Sequence, residues 1–440
     1  MEEFILAYGK EKLAFSLPRG RFTGFLEPKT VPPAVSAGRL LSDSLAHPIG
    51  SPPLHEIARG KKTAAILIPG KARRAAAHDY VPALVAELNR AGLADEDITL
   101  FLADGTHEQH FESDMLALLG SEIISRIRCC GHDCRDDEAL CHLGTTSFGT
   151  PVWINRKVLE ADVRVLTGRI VPHYFAGFSG GRKALIPGVA GFATITQNHR
   201  LNLWMEQGLH PEAGLCSLTA NPVHLDMLEG TRMVNPEFCL NTILDTDHRL
   251  VAAVAGDFVA AHEEGCRKAE EMLRVRVPEP VDLVITSAGG RPYDSNFMQS
   301  LKAAFNIQEI VRPGGAILWL AECAGGIHPG FLEWAKMKSD EELDKAVRAC
   351  YNLTGHNSLM LRRLVGNADV AMLSALPGDT VAGLGLSPIA SIEEGIDWIL
   401  QRFSGEFSYA VVPHANVMCA ALSDKTSCIA ASGHLGGAFI

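Results

Sequence analysis

The chain has 440 residues, 47% hydrophobic and 21% charged, which excludes a disordered or fibrous class. It is too long for one small core, so two domains are expected. Acidic residues outnumber basic ones 51 to 40, a net charge of −11, which argues against a nucleic-acid partner because that calls for a basic face.

In chain order, residues 63–68 (TAAILI) form a strand candidate that ends at Pro69-Gly70. Residues 79–91 carry apolar side chains at helical spacing. A second strand is expected at 98–103 (ITLFLA), ending at Asp104-Gly105-Thr106-His107, and a third at 162–166 (DVRVL), ending at Thr167-Gly168-Arg169. Residues 274–280 (RVRVPEP) read as a linker, since Pro278 and Pro280 cannot continue a helix. Strands are then expected at 282–286, 316–320, 369–373 and 409–412, with helices at 340–349 and 392–403. Alternating strands and helices of these lengths imply βαβ units. The fold expected is therefore two α/β domains with mainly parallel sheets. The first, 1–274, would bind a cofactor. The second spans 281–440, with 275–280 between them, and a return of the last segment onto the first domain stays open. Ligands of open α/β sheets bind beyond the carboxyl ends of the strands. Residues 70–74, 104–107, 169–183 and 286–294 lie there, so the active site is expected in the cleft between the domains.

The segment 169–185, RIVPHYFAGFSGGRKAL, is the richest in chemistry. Gly177, Gly180 and Gly181 permit positive φ and close backbone approach, and exposed amides in such a loop can cradle a phosphate. Lys183 adds a cation or a nucleophilic amine. The segment fits neither the P-loop nor the GxGxxG pattern. A tight structural turn would account for the glycines alone, but His173 and Lys183 in the same loop favour chemistry. His107 at a strand end suits general acid–base work, with helix capping by Asp104 or Thr106 as the plainer explanation. His199 could ligate a metal, although no second histidine accompanies it at ligand spacing. Arg73 after the first strand and Lys302 on an expected helix, near Gln299, could clamp a carboxylate or be solvated surface cations.

Cys129, Cys130, His132, Cys134, Cys141 and His142 lie close together without a CxxC pair, and read better as reduced core or loop residues than as a zinc site. Eleven cysteines scattered over a long chain suit reduced thiols in a cytoplasm. No basic segment precedes an apolar one at the N-terminus, and no apolar run is long enough to span a bilayer, so no signal peptide or membrane association is expected.

The ordered series Asp104-Gly105-Thr106-His107, Pro172-His173, Gly177 through Lys183, Pro187-Gly188, Asn198-His199, Asn221-Pro222, Gly289-Gly290 through Asp294, Gln299 and Lys302 spans nearly the whole chain. It resembles the nickel-dependent lactate racemase family. The resemblance implies a nickel-pincer nucleotide, the nickel complex of pyridinium-3-thioamide-5-thiocarboxylic acid mononucleotide. Lys183 would hold it as a thioamide and His199 would complete the nickel coordination. Ser179, Gly180, Gly181, Asp104 and Thr106 would serve the cofactor. The implied reaction inverts the hydroxyl-bearing carbon of a 2-hydroxy acid by hydride abstraction and return. His107 and His173 would be the acid–base pair, and Arg73, Gln299 and Lys302 the substrate contacts. Cofactor-making enzymes would be maturation partners, and a homo-oligomer is left open. Two departures touch the substrate side: many relatives carry Asp where Gly70 stands, and an aromatic where Met298 stands. They motivate one alternative, a different hydroxy-acid or sugar-acid reaction with the same cofactor; a second is a non-catalytic cofactor-binding protein, against which the retained pair His107 and His173 argues.

Overall fold

Strands written as unbroken apolar runs must be covered on both faces, and two six-stranded sheets built of such runs organise the chain. The computed structural model describes residues 2–29, 35–70, 75–107, 111–205 and 207–423. The chain divides into two compact units. One comprises Met1–Thr30, Leu203–His210 and Met272–Thr426, and the other Val31–Asn202, Pro211–Glu271 and Ser427–Ile440.

In the unit rich in the 31–271 segment, the strands lie in the order Leu250–Gly256, Phe238–Leu244, Val163–Arg169, Ala64–Ile68, Ile98–Leu102, Arg128–Cys130. All neighbours are parallel except Leu250–Gly256, which is antiparallel to Phe238–Leu244. Ala64–Ile68 is buried at every residue. The helix Ala77–Arg90 lays Tyr80, Val81, Leu84 and Leu88 onto the same core as Ile66, Leu100, Val165 and Leu240. Each such side chain contributes about 1.5–3 kcal/mol through burial. The strand expected at 162–166 runs on to Arg169. Its polar end keeps pairing, with Gly168 opposite Asn241 and Arg169 opposite Thr242. Thr167 is satisfied inside the sheet, donating its hydroxyl to Leu67 O at 2.7 Å.

The other unit holds a fully parallel sheet in the order Ser387–Ile389, Ala368–Leu373, Val311–Leu320, Val281–Ser287, Ser408–Val412, Arg21–Phe25. The expected helices appear as Asp340–Ala349 and Ile392–Arg402. The hairpin Glu3–Tyr8/Glu11–Ser16 packs its Phe4 against Phe15, Phe22 and Tyr409, with ring centroids 5.1–6.2 Å apart.

The division differs from a single cut at 275–280 for physical reasons. Arg21–Phe25 is the edge strand beside Ser408–Val412, so the first residues belong to the second sheet. Residues 203–210 join the same unit, because Leu203 packs with Leu343, Val347 and Leu359. Arg348 also binds Trp204 O and Gly208 O, and Asp344 accepts from Gly208 N at 2.9 Å. Residues 274–277 are not a linker: Arg274–Val277 is a strand parallel to Cys419–Leu422. Its alternating Arg-Val-Arg-Val is a period-two pattern, and the prolines act only after it. Among the described residues, no helix is long and apolar enough to cross a membrane.

Candidate functional site

In the 31–271 sheet the chain runs from Ala64–Ile68 outward to Ile98–Leu102 and Arg128–Cys130, then returns to the other side with Val163–Arg169. The carboxyl ends of Ala64–Ile68 and Val163–Arg169 therefore flank a topological switch point, where open α/β sheets bind ligands. The segments beginning at Gly70 and Asp104 and the loop after Arg169 all leave the sheet at this end.

The loop after Arg169 folds into a short antiparallel ladder, Pro172–His173 against Gly177–Phe178, then a 3-10 turn, Gly181–Ala184. Close packing dictates its glycines. A Cβ at Gly168 would stand 2.7 Å from Gly180 Cα, and one at Gly180 would stand 2.8 Å from Ile170 Cγ1 and 2.9 Å from Asn241 Oδ1. Gly177, Gly180 and Gly181 all have positive φ, at 74, 83 and 50°. Gly181 N donates to Asn241 Oδ1 at 2.7 Å, Ser179 N to Val171 O at 3.0 Å, and the Ser179 hydroxyl to Arg169 O at 2.7 Å. Those donors are committed within the protein and are not open to a phosphate.

The loop brings three candidate residues around one ring. His173 stands edge-on to Phe175 with centroids 4.5 Å apart, and His199 does so at 5.2 Å. Lys183 Nζ lies over the same ring, 5.6 Å from its centroid. Phe175 is itself held by Asn221, whose Nδ2 donates to Phe175 O at 2.8 Å while its Oδ1 caps the helix Pro222–Val234. Ala176 N donates to His173 Nδ1 at 3.3 Å, so the neutral ring carries its proton on Nε2. The His107 turn is tied to Lys183 by two backbone bonds: Gly105 N donates to Gly188 O at 2.9 Å, and Gly188 N to Lys183 O at 3.0 Å. His107 is exposed. A side chain at Gly70 would overlap the Asp104 carboxylate, which occupies that space.

His199 is positioned by its neighbour. It lies on the helix Phe192–Arg200, where Asn198 is fully buried and donates to Asp226 Oδ2 at 2.8 Å and Val223 O at 3.1 Å. Asp226 also accepts from the hydroxyls of Thr146 and Thr150. Burial raises its pKa above the usual carboxylate range.

Beneath the loop lies a fully buried cation. Arg182 donates to Ala176 O at 3.1 Å, Phe178 O at 3.3 Å and His262 Nε2 at 2.9 Å. That imidazole nitrogen also sits 3.0 Å from Ser179 O. A guanidinium only donates, so Nε2 must accept and Nδ1 holds the proton. Burial, and next the Arg182 charge, push the His262 pKa down to about 3. Burial also lowers Arg182, to about 10.

In the other unit, Gln299 and Lys302 lie one turn apart on the helix Phe297–Ile307, with Lys302 Nζ donating to Gln299 Oε1 at 2.7 Å. Asn296 caps this helix, accepting from Gln299 N at 2.9 Å. Arg73 lies outside the described residues.

The structure thus brings His173, Lys183 and His199 together and ties the His107 turn to them. Phe175, Arg182, Asn241 and His262 escaped sequence reasoning. Asn241 and His262 meet the loop only through the fold, 60 and 80 residues from their partners Gly181 and Arg182. The donor set suits the implied cofactor: an amine for a covalent tether, and imidazole, a good nickel ligand. Among the described residues, no three His, Cys, Asp or Glu side chains stand together as a metal site; the resemblance asks the chain for one imidazole. Of the cysteine–histidine run, His132 is bound to Ala190 O at 3.0 Å and Asn155 Nδ2 at 3.2 Å.

The family models of the lactate racemase N-terminal and C-terminal domains match residues 8–209 and 277–418. The lactate racemase of Thermoanaerobacterium thermosaccharolyticum is 34% identical over 345 residues, 78% of this chain and 80% of that one. That of Lactiplantibacillus plantarum is 31% identical over 323 residues, covering 73% and 75%. The structure of the T. thermosaccharolyticum lactate racemase apoprotein superposes with a TM-score of 0.88 at 30% identity, over 95% of this chain and all of that one. A Thermotoga maritima protein, 17% identical with a TM-score of 0.67 over 90% of this chain and all of its own, shares the fold. The chain belongs to the lactate racemase family and is an isomerase of that family.

Proposed function

We propose that the chain inverts the hydroxyl-bearing carbon of a 2-hydroxy acid, lactate or a larger one, with a nickel-pincer nucleotide held by Lys183 and His199. The observation that carries this reading is the convergence of His173, Lys183 and His199 on Phe175, with the His107 turn two hydrogen bonds from Lys183. When bound, that group supplies a reversible acceptor for a hydride from the substrate carbon. The side chains do the rest. His107 takes the hydroxyl proton as the carbon loses its hydride, leaving a planar 2-keto acid. His173, whose Nε2 carries a proton at rest, gives it to the keto oxygen when the opposite face is presented. One inversion leaves a proton on His107 and a lone pair on His173, and the reverse inversion restores both. Lys302 and Gln299, with Arg73, hold the substrate carboxylate, and the close Lys302–Gln299 pair supports a shared role.

The test is production of the chain with the cofactor-making enzymes, followed by intact mass and nickel determination. A mass adduct and nickel are expected in the wild type, and the adduct vanishes in Lys183→Ala. A wild type that gains no adduct under those conditions overturns the tether. Chiral chromatography of 2-hydroxy acids with the loaded enzyme then tests inversion itself.

A further inference from the structure

A cavity of about 290 Å³ opens beside His107. Its volume is near the lower end of small-molecule sites, ~300–1,000 Å³, and it exceeds what the six non-hydrogen atoms of lactate need. One wall is Gly105, Thr106 and His107, and the other is the loop 132–135. That second wall is bolted in place. His132 Nε2 donates to Ala190 O at 3.0 Å while Nδ1 accepts from Asn155 Nδ2 at 3.2 Å. Phe192 N donates to Cys134 O at 2.7 Å. Asp133 Oδ1 accepts the backbone N–H of Arg135 at 2.9 Å.

The cavity's cation is Arg135. Its guanidinium carbon lies 3.7 Å from the centroid of the Phe192 ring, the first residue of the helix that carries His199. Stacking uses the face of a guanidinium and leaves its in-plane N–H edge to donate. Among the described residues no carboxylate pairs with Arg135; Asp133 accepts the Arg135 backbone N–H, and Asp136 those of Glu138 and Ala139. An oriented, stacked guanidinium in a cavity shared with an acid–base histidine is built for a planar anion.

We propose that Arg135 forms an anion subsite beside His107 that takes the second carboxylate of a 2-hydroxy dicarboxylic acid. The substrate class is then the hydroxy diacids rather than lactate. This rests on the reading of His107 as a residue that works on the substrate hydroxyl. Within this cavity the substrate hydroxyl faces His107 and the distal carboxylate faces Arg135.

The experiment compares wild type, Arg135→Gln and Arg135→Lys. Arg135 is exposed, so neither change touches the core. With cofactor-loaded protein, racemisation of 2-hydroxybutanedioate and of lactate is followed by chiral chromatography. The ratio of kcat/KM for diacid over lactate is expected to fall about tenfold in Arg135→Gln, mainly through KM, as loss of a charge-assisted bidentate bond implies. Arg135→Lys should recover part of it. A ratio unchanged within twofold overturns the subsite. Calorimetric titration of 2-hydroxybutanedioate into the unloaded chain separates this from the catalytic reading. Wild type should bind the diacid more tightly than lactate, and Arg135→Gln should erase the difference. Diacid binding that ignores Arg135, or no diacid binding, overturns the subsite. Arg135-dependent binding in a protein that racemises nothing supports the subsite and overturns the catalytic reading.

Discussion

A methyl group at residue 70 would overlap the carboxylate of Asp104, so the two positions share one space. Gly70 is therefore coupled to Asp104 and is not an indifferent surface replacement. Gly70→Ala should destabilise the protein by about 1–3 kcal/mol as the carboxylate is displaced. In Asp104→Ala the same change should cost clearly less, a coupling of roughly 0.5–3 kcal/mol in a double-mutant cycle read by urea unfolding. Additive effects would show that the carboxylate moves aside without cost. The glycines of the 177–181 loop show where sequence reading reached its limit. Positive φ was legible from glycine content, and all three loop glycines adopt it. The direction of the amides was not legible from glycine content, because the same pattern serves a loop whose amides bind inward, as those of Ser179 and Gly181 do. Asn241, which takes the Gly181 amide, lies 60 residues away with no motif around it. His173, Lys183 and His199 were legible because an ordered motif carries them. Phe175, the ring they surround, was one aromatic among several.

At the scale of elements, parallel strands were easy to place because burial on both faces writes them as apolar runs, as in Ala64–Ile68. Arg274–Val277 was missed because arginine alternates with valine and prolines follow. Its pairing with Cys419–Leu422 depends on residues more than 140 positions on. The segment 203–210 was equally invisible, since it has no regular structure and is held by side chains of a distant helix. Arg348 and Asp344, one turn apart on Asp340–Ala349, grip Trp204 O, Gly208 O and Gly208 N. Arg348→Ala removes the donor side of that grip. Faster hydrogen exchange and proteolytic cleavage are expected at 203–208, with helices such as Ala77–Arg90 unaffected. Equal protection of this segment in variant and wild type would show that packing of Leu203 against Leu343 is sufficient.

The two units share one electrostatic property. Burial pushes His262 in one and His356 in the other down to about 3, and His224 well below its ordinary value. These rings stay neutral when folded, whereas in the unfolded chain they protonate near pH ~6.5. Their contribution is complete above pH 6.5 and is lost as pH falls from there toward 3, by about 1.4 kcal/mol per pH unit for each ring. Urea midpoints at pH 7, 6 and 5 should therefore fall steeply, and His356→Leu should make the decline shallower. An unchanged slope would refute the buried neutral state of His356. The fold class could be read from the alternation of strands and helices, whereas the division of the chain could not. A cut placed by composition ignores that Arg21–Phe25 completes a sheet whose neighbouring strand is Ser408–Val412. That neighbourhood has a consequence for synthesis. Ribosomes add about 5–20 residues per second, so the edge strand Arg21–Phe25 emerges roughly 20–80 seconds before the strand it pairs with. Phe4 and Phe15 wait for Leu283, Ile285 and Leu318 of the same core, and Phe22 for Tyr409, while the 35–271 segment can already collapse around its own strands. The nascent chain is thus a natural client for a holding chaperone at its amino end, and closure of the second sheet is the last step of its birth.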